Sequence, residues 1–263
     1  MQRFRIWFSI LLLVFILNAS NSIAGGNEPI PSLKNLLEAA QFSSSEKKDS
    51  SSREEMLFEI KKFYYQIQYQ EQKLEILDEV KGHFEKAVEK AEEKYDEGEE
   101  DVSQSDITKL KLGLAGTLND LYEVETELQI SRLSLSDRLK NKYSPQAELV
   151  ETSISPLDFE YVDYQTWVSA HNMVFQDNKK ELELRKLFLK VIEARKKMKL
   201  ARKNRKMTRA LLVSEVANYD FGIGDSGDLF QALIIYTRVL SGYYSSIYKY
   251  NLSIATLDRN KNI

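Results

Sequence analysis

The chain contains no cysteine. That absence excludes disulfides, thiolate metal sites and a lipid-modified N-terminal cysteine of the bacterial lipoprotein type, so packing alone must hold the fold. Proline is scarce, four in 263 residues, and glycine is limited to ten. A turn-rich β fold would need more of both, whereas long helices are favoured by their scarcity. Charge of one sign is missing as well: the formal net charge is -3, which gives no overall drive toward nucleic acid or an anionic membrane surface. Histidine is limited to His83 and His171, and with no second histidine or cysteine near either, each reads as an ordinary helix-surface residue. No metal or cofactor site is expected. No catalytic constellation can be assembled either. Asp220-Phe221-Gly222 copies a kinase tripeptide without the Gly-rich loop, lysine or catalytic loop that give it meaning, and Asp225-Ser226-Gly227-Asp228 lacks the length and closing Glu of a calcium loop. The chain does not read as an enzyme.

What is present begins with an address. Arg3 and Arg5 precede an apolar run over 6–17, followed by polar residues and the small-residue sequence Ser22-Ile23-Ala24. This is the pattern of a secretory signal peptide over 1–24, its apolar run shorter than the roughly 20 residues of a spanning helix. Residues 25–52, with Pro29, Pro31 and two serine triplets, read as a flexible lead-in carrying a short helical pattern at 33–40.

From 53 onward the spacing is helical. Met56, Ile60, Phe63, Ile67, Leu74, Leu77, Phe84, Val88, Ala91 and Tyr95 alternate steps of four and three, interrupted only at Gln70 and Lys81. A period near 3.5 is a coiled-coil seam, and its length makes a rod. A turn at Glu97-Gly98-Glu99 ends it, and a second helix opens near Ser105-Asp106 with Ile107, Leu110, Leu114, Leu121, Val124, Leu128 and Leu135 in the same rhythm. So short a link forces the two helices antiparallel. Residues 143–164, with Pro145, Pro156 and alternating β-favouring side chains, form an extended connector. Helix resumes from about 165 to 218 with a break at 172–178, stops at Phe221-Gly222-Ile223-Gly224, and restarts at Asp228. In this last helix Leu229, Leu233, Tyr236, Leu240, Tyr243, Ile247, Tyr250, Ile254 and Leu257 form one seam, and Phe230, Ile234, Tyr244 and Tyr248 a second beside it. A helix apolar on two sides needs neighbours on two sides. A closed four-helix bundle within one chain and a ring of several chains both satisfy that. The expected class is all-α, two long antiparallel coiled-coil hairpins at 53–142 and 165–263 joined by the connector.

The two hairpins repeat one another. Glu93-Lys94-Tyr95-Asp96-Glu97-Gly98 matches Ala217-Asn218-Tyr219-Asp220-Phe221-Gly222, an aspartate (Asp106, Asp228) follows within eight residues, and Leu135-Ser136-Asp137-Arg138 and Thr256-Leu257-Asp258-Arg259 close the units. In this duplicated Tyr-x-x-Gly…Asp frame, and in Tyr248-Lys249-Tyr250-Asn251 with Leu257 near the end, the sequence resembles the TolC-type outer-membrane efflux protein family over 53–139 and 179–259. The resemblance implies a TolC-like α-barrel protomer in a homotrimeric tunnel, with Tyr95, Gly98, Asp106, Tyr219, Gly222 and Asp228 at hairpin tips that meet a periplasmic adaptor serving an inner-membrane pump. It implies residence in the periplasm with outer-membrane association. The family's β-barrel needs strand pairs of about 9–11 alternating residues; neither 25–52 nor 179–218 supplies them, so the chain is expected not to cross the outer membrane itself. A periplasmic coiled-coil scaffold or holdase with no transport role is the alternative.

Charge is segregated locally. Residues 179–209 hold fourteen Lys or Arg against three Glu, whereas 71–101 are strongly acidic. The two blocks could align hairpin against hairpin or chain against chain, or simply be solvated faces.

Overall fold

The computed structural model describes residues 28–43, 50–99 and 102–262; the signal-peptide expectation over 1–24 lies outside them. Among the described residues six helices follow in order: α1 (Leu33–Ser43), α2 (Ser50–Asp96), α3 (Gln104–Arg138), α4 (Tyr164–Ala170), α5 (Asn178–Asp220) and α6 (Ser226–Asn262). α2 has 47 residues, about 70 Å of rod at 1.5 Å per residue. The break expected before α5 is real: His171 and Asn172 leave α4, with Asn172 at φ 50°.

α2 pairs with α3 and α5 with α6, and the hairpins join through α2 and α6, with α3 touching α6 more lightly. The spatial order is therefore α3, α2, α6, α5. The inner helices bury two faces each. On α2, Leu77 packs with Leu121 and Val124 of α3, while Ile76, Val80, Phe84 and Ala87 join Leu233, Tyr236 and Leu240 of α6. The double stripe on α6 thus has both neighbours inside the chain. The outer helices bury one face and leave the other open.

One contact between the hairpins depends on a missing side chain. A Cβ at Gly113 would lie 2.6 Å from the Phe84 ring and 2.9 Å from that of Phe230, two rings packed 6.0 Å apart at the centre. Gly113 lets α3 reach the α2–α6 seam. Beside this apolar zone sits a polar layer. Gln70, the interruption in the first seam, is 1% exposed, and its Oε1 has no partner, as is true of Glu71 Oε2, Arg132 Nε and Ser241 Oγ. Arg132 donates to Glu71 Oε1 at 2.8 Å. Burial raises the Glu71 carboxyl above the ordinary range, with Glu148 and Glu75 adding to the rise and Arg132 opposing it.

The connector is held by side chains from three helices. Gln68 Nε2 donates to Glu151 O at 2.7 Å and to Ser153 O; Asn251 Nδ2 donates to Ser155 O while its Oδ1 accepts from Leu157 N; Arg195 donates to Phe159 O. Gln68 and Asn251 are 4% and 0% exposed, and their amides do here what a neighbouring strand would do in a sheet. The connector's only sheet-like pairing among the described residues is a parallel bridge from Ile30 to Leu149, with Ile30 N donating to Glu148 O and Val150 N to Ile30 O. That bridge corrects the picture of a flexible lead-in for 28–43. Ile30 and Leu36 are buried against Ile60, Tyr64 and Leu135, because the short apolar pattern of α1 has a groove to fill at the end of α3.

Two outcomes follow. Gly113→Ala should destabilise the protein by about 1–3 kcal/mol through overpacking, despite alanine's better helix propensity, read as a lower urea midpoint with unchanged slope. Arg132→Met should cost about 1–3 kcal/mol at pH 7.5 by leaving Glu71 unpaired. With the arginine gone the folded-state pKa rises further, so between the unfolded and folded values the folded chain binds the extra proton. The deficit should shrink as pH falls through that window; a constant deficit from pH 7.5 to 5 would refute it.

Candidate functional site

Both hairpins turn at the same end of the rod with the same backbone solution. At the end of α2, Glu99 N donates to Lys94 O and Gly98 N to Tyr95 O, at 3.0 and 3.1 Å; at the end of α5, Ile223 N donates to Asn218 O and Gly222 N to Tyr219 O, at 2.9 and 3.1 Å. These are paired Schellman caps, which require the residue after the last helical turn to be left-handed. Gly98 at φ 80° and Gly222 at φ 71° meet the requirement. Tyr95 and Tyr219 are the residues whose carbonyls receive the glycine N–H, which explains the three-residue spacing from Tyr to Gly.

The aspartates serve the next helix, one turn later than expected. α3 begins at Gln104 with Ser103 as its cap, and Asp106 completes a capping box by accepting from Ser103 N. Hydrogen bonds from the Ser103 hydroxyl and from Lys109 hold the Asp106 carboxyl below its ordinary range. α6 begins at Ser226, and Asp225 Oδ1 accepts from Asp228 N at 2.8 Å. The expectation that Asp106 and Asp228 open their helices is thereby corrected: each sits at the third helical position, where a carboxylate meets the positive end of the helix dipole. The six residues singled out from the sequence gather at the two turns, and the backbone is what each of them shapes.

Beyond this shared frame the tips differ. Tyr219 is buried, its hydroxyl donating to Ala87 O at 3.0 Å, and Lys90 of α2 caps the end of α5 by donating to Tyr219 O and Asp220 O at 2.9 and 2.8 Å. Its ammonium also lies over the Tyr219 ring. Tyr95 is 45% exposed, because α2 continues past the level of Lys90 and the first tip projects beyond the second. The projecting tip is acidic, with Glu93, Asp96 and Glu97 exposed and Lys94 paired to Glu99 at 2.9 Å. The recessed tip is apolar. Phe221 and Ile223 are each 79% exposed, and sequence reasoning used them only as part of a helix stop. Their signal was two large apolar residues inside a glycine turn, where nothing local could bury them.

This architecture has a solved counterpart. The outer-membrane channel OprN superposes with a TM-score of 0.62, covering 87% of this chain and 69% of that one. The fold is TolC-like. Identity over the match is 10%, so the likeness concerns the path of the chain. No family model matches the sequence, and no curated protein matches it. Within this TolC-like fold no described helix is long and apolar enough to cross a membrane, and among the described residues no cluster of His, Asp or Glu could hold a metal ion. His171 lies against Trp167, with Nδ1 2.8 Å from the Trp167 carbonyl; His83 lines a groove with Glu79, Arg209 and Asp220.

Lys90→Met should raise amide exchange at 218–224 and leave 94–99 unchanged, with a loss of about 1–2 kcal/mol, since hydrogen bonds from a charged donor to the end of α5 are removed. Equal acceleration at both turns would show that Lys90 does not act on the second tip specifically.

Proposed function

We propose that this protein is a TolC-like component of an efflux or type I secretion assembly in the periplasm, docking through its hairpin tips onto an adaptor that serves an inner-membrane pump. The observation that carries the reading is the duplicated Schellman-capped turn at one end of a long rod, with Phe221 and Ile223 exposed beside an acidic neighbour. Large apolar side chains on a rigid turn are suited to insertion into a partner's pocket, and surrounding acids to orienting it. The role is mechanical and not enzymatic.

The edges of the row support a homotrimeric ring. Leu112, Tyr122, Ile130 and Leu133 of α3 are 57–67% exposed, and Leu182, Leu189, Leu200 and Met207 of α5 are 53–60% exposed. Each set lies apart from the helix's buried seam, as in a helix flanked on both sides. Cross-links of α2 with α3 (Glu71–Arg132), α2 with α6 (Tyr69–Tyr248) and α5 with α6 (Arg205–Tyr243) put Tyr122 and Ile130 at heights comparable to Met207 and Leu200. Exposed apolar stripes are also what a periplasmic holdase or scaffold would use, which keeps that reading as the alternative.

The test has two arms. Light scattering should give a trimer mass for the protein, reduced to a monomer by Tyr122→Asp with helicity retained. Phe221→Glu with Ile223→Glu should abolish co-purification with the adaptor while leaving the trimer. A monomer whose stripes bind unfolded polypeptide would instead identify a holdase.

A further inference from the structure

α5 carries a run of charge that the fold does not neutralise. Between Glu193 and Glu215 there are nine Lys or Arg and no acidic residue, and on α6, the helix α5 packs against, none occurs between Asp228 and Asp258. One turn earlier the same helix balances its cations: Glu193 lies between Lys190 and Lys197 at 3.0 and 2.7 Å, and their hydrogen bonds pull its carboxyl down to about 2. Arg202, Arg205, Lys206 and Arg209 have no such partner. Their spacing of three, one and three residues stacks them on one helix face, where like charges destabilise the helix. Glu79 of α2 and Asp220 line a neighbouring groove with Arg209 without an ion pair to it, and Glu79 accepts the Tyr236 hydroxyl at 2.7 Å.

These four cations line a groove of about 800 Å³ together with Ala210, Val213, Ser214 and Tyr243. That volume lies in the range of small-molecule sites. Arg205 is fixed in it, its guanidinium 4.9 Å from the Tyr243 ring centre and 5.7 Å from that of Tyr244, so its hydrogen-bonding edge is pre-oriented. The residues are distinct from the Leu182, Leu189, Leu200 and Met207 stripe and lie on a different face of α5.

We infer that the groove between Arg202 and Tyr243 is a binding site for an organic anion with an apolar body. The arginines take its carboxylate, sulfonate or phosphate in charge-assisted hydrogen bonds, and Ala210, Val213 and the Tyr243 ring cover the apolar part. The site is complete within one chain and does not depend on the tunnel reading.

The probe is 8-anilinonaphthalene-1-sulfonate, titrated by fluorescence into the protein at low and moderate salt. Arg202→Gln with Arg209→Gln should weaken binding about tenfold, as loss of two solvent-exposed ion pairs implies, and flatten its salt dependence. Lys190→Gln with Lys197→Gln removes the same charge from the balanced stretch and should change affinity little. The arginine variant should melt no lower than the wild type, since repulsion is relieved; a structural role would lower the midpoint. Unchanged affinity in the arginine variant, or an equal loss in the lysine variant, overturns the site. So does a loss of self-association with affinity intact, which would make acidic residues of a second copy the counter-charge.

Discussion

The antiparallel contact between α2 and α6 is the constraint on which the rest of the structure depends. Each of these helices is apolar on two sides, so neither is satisfied by its own hairpin partner. Burying Val80, Phe84 and Ala87 against Leu233, Tyr236 and Leu240 joins the hairpins and leaves α3 and α5 outermost. A closed bundle would have required α3 and α5 to meet. Instead each keeps an outer apolar stripe, and the fold ends in two apolar edges. The tips inherit their alignment from the same contact, since Lys90 and Ala87 reach the end of α5 only because α2 and α6 are in register.

A rod of this length needs something to fix where one helix stands along the next, because a uniform heptad seam tolerates slips of seven residues with little loss of burial. The polar layer supplies that information. Glu71 with Arg132, and Tyr236 with Glu79, can be satisfied in one register only, and Gln68 and Asn251 further tie α2 and α6 to one extended segment of the connector. Breaking any of these by a slip would leave buried polar groups without partners, which is costlier than any apolar mismatch. Gln70, an interruption of the first seam, and the neighbouring Glu71–Arg132 pair mark the level at which register is set.

Period 3.5 over more than thirty residues has one physical meaning, so the long helices, their antiparallel pairing and the two-sided α6 were legible in the sequence. The glycine turns were too, because Gly98 and Gly222 are needed for a left-handed backbone that few other residues adopt without strain. The helix starts were displaced by a turn because Ser103 and Asp225 cap as well as Asp106 and Asp228, and residue type alone does not rank neighbouring candidates. Lys90, Gln68 and Asn251 were not legible as caps and staples. Their partners lie 129, 83 and 96 residues away in the chain, and a polar residue reads alike whether it faces water or a distant carbonyl. The two apolar residues of the second tip were visible, yet their exposure could be known only once the turn was seen to project from the end of the rod.

The basic run on α5 shows how a fold can separate what stabilises it from what it is for. Its acidic counterpart, the end of α2, is spent at the projecting tip, and Glu92 is paired with Lys111 of α3 across the first hairpin at 2.6 Å. Elsewhere on α2, Glu55 is paired with Arg259 of α6 and Glu79 accepts the Tyr236 hydroxyl, so these acids are engaged away from Arg202, Arg205 and Lys206. α6, the helix against which α5 packs most extensively, carries no carboxylate between Asp228 and Asp258. The charge imbalance on α5 thus follows from the helix order, since the acids of α2 are engaged with α3 and α6 and the facing length of α6 has none.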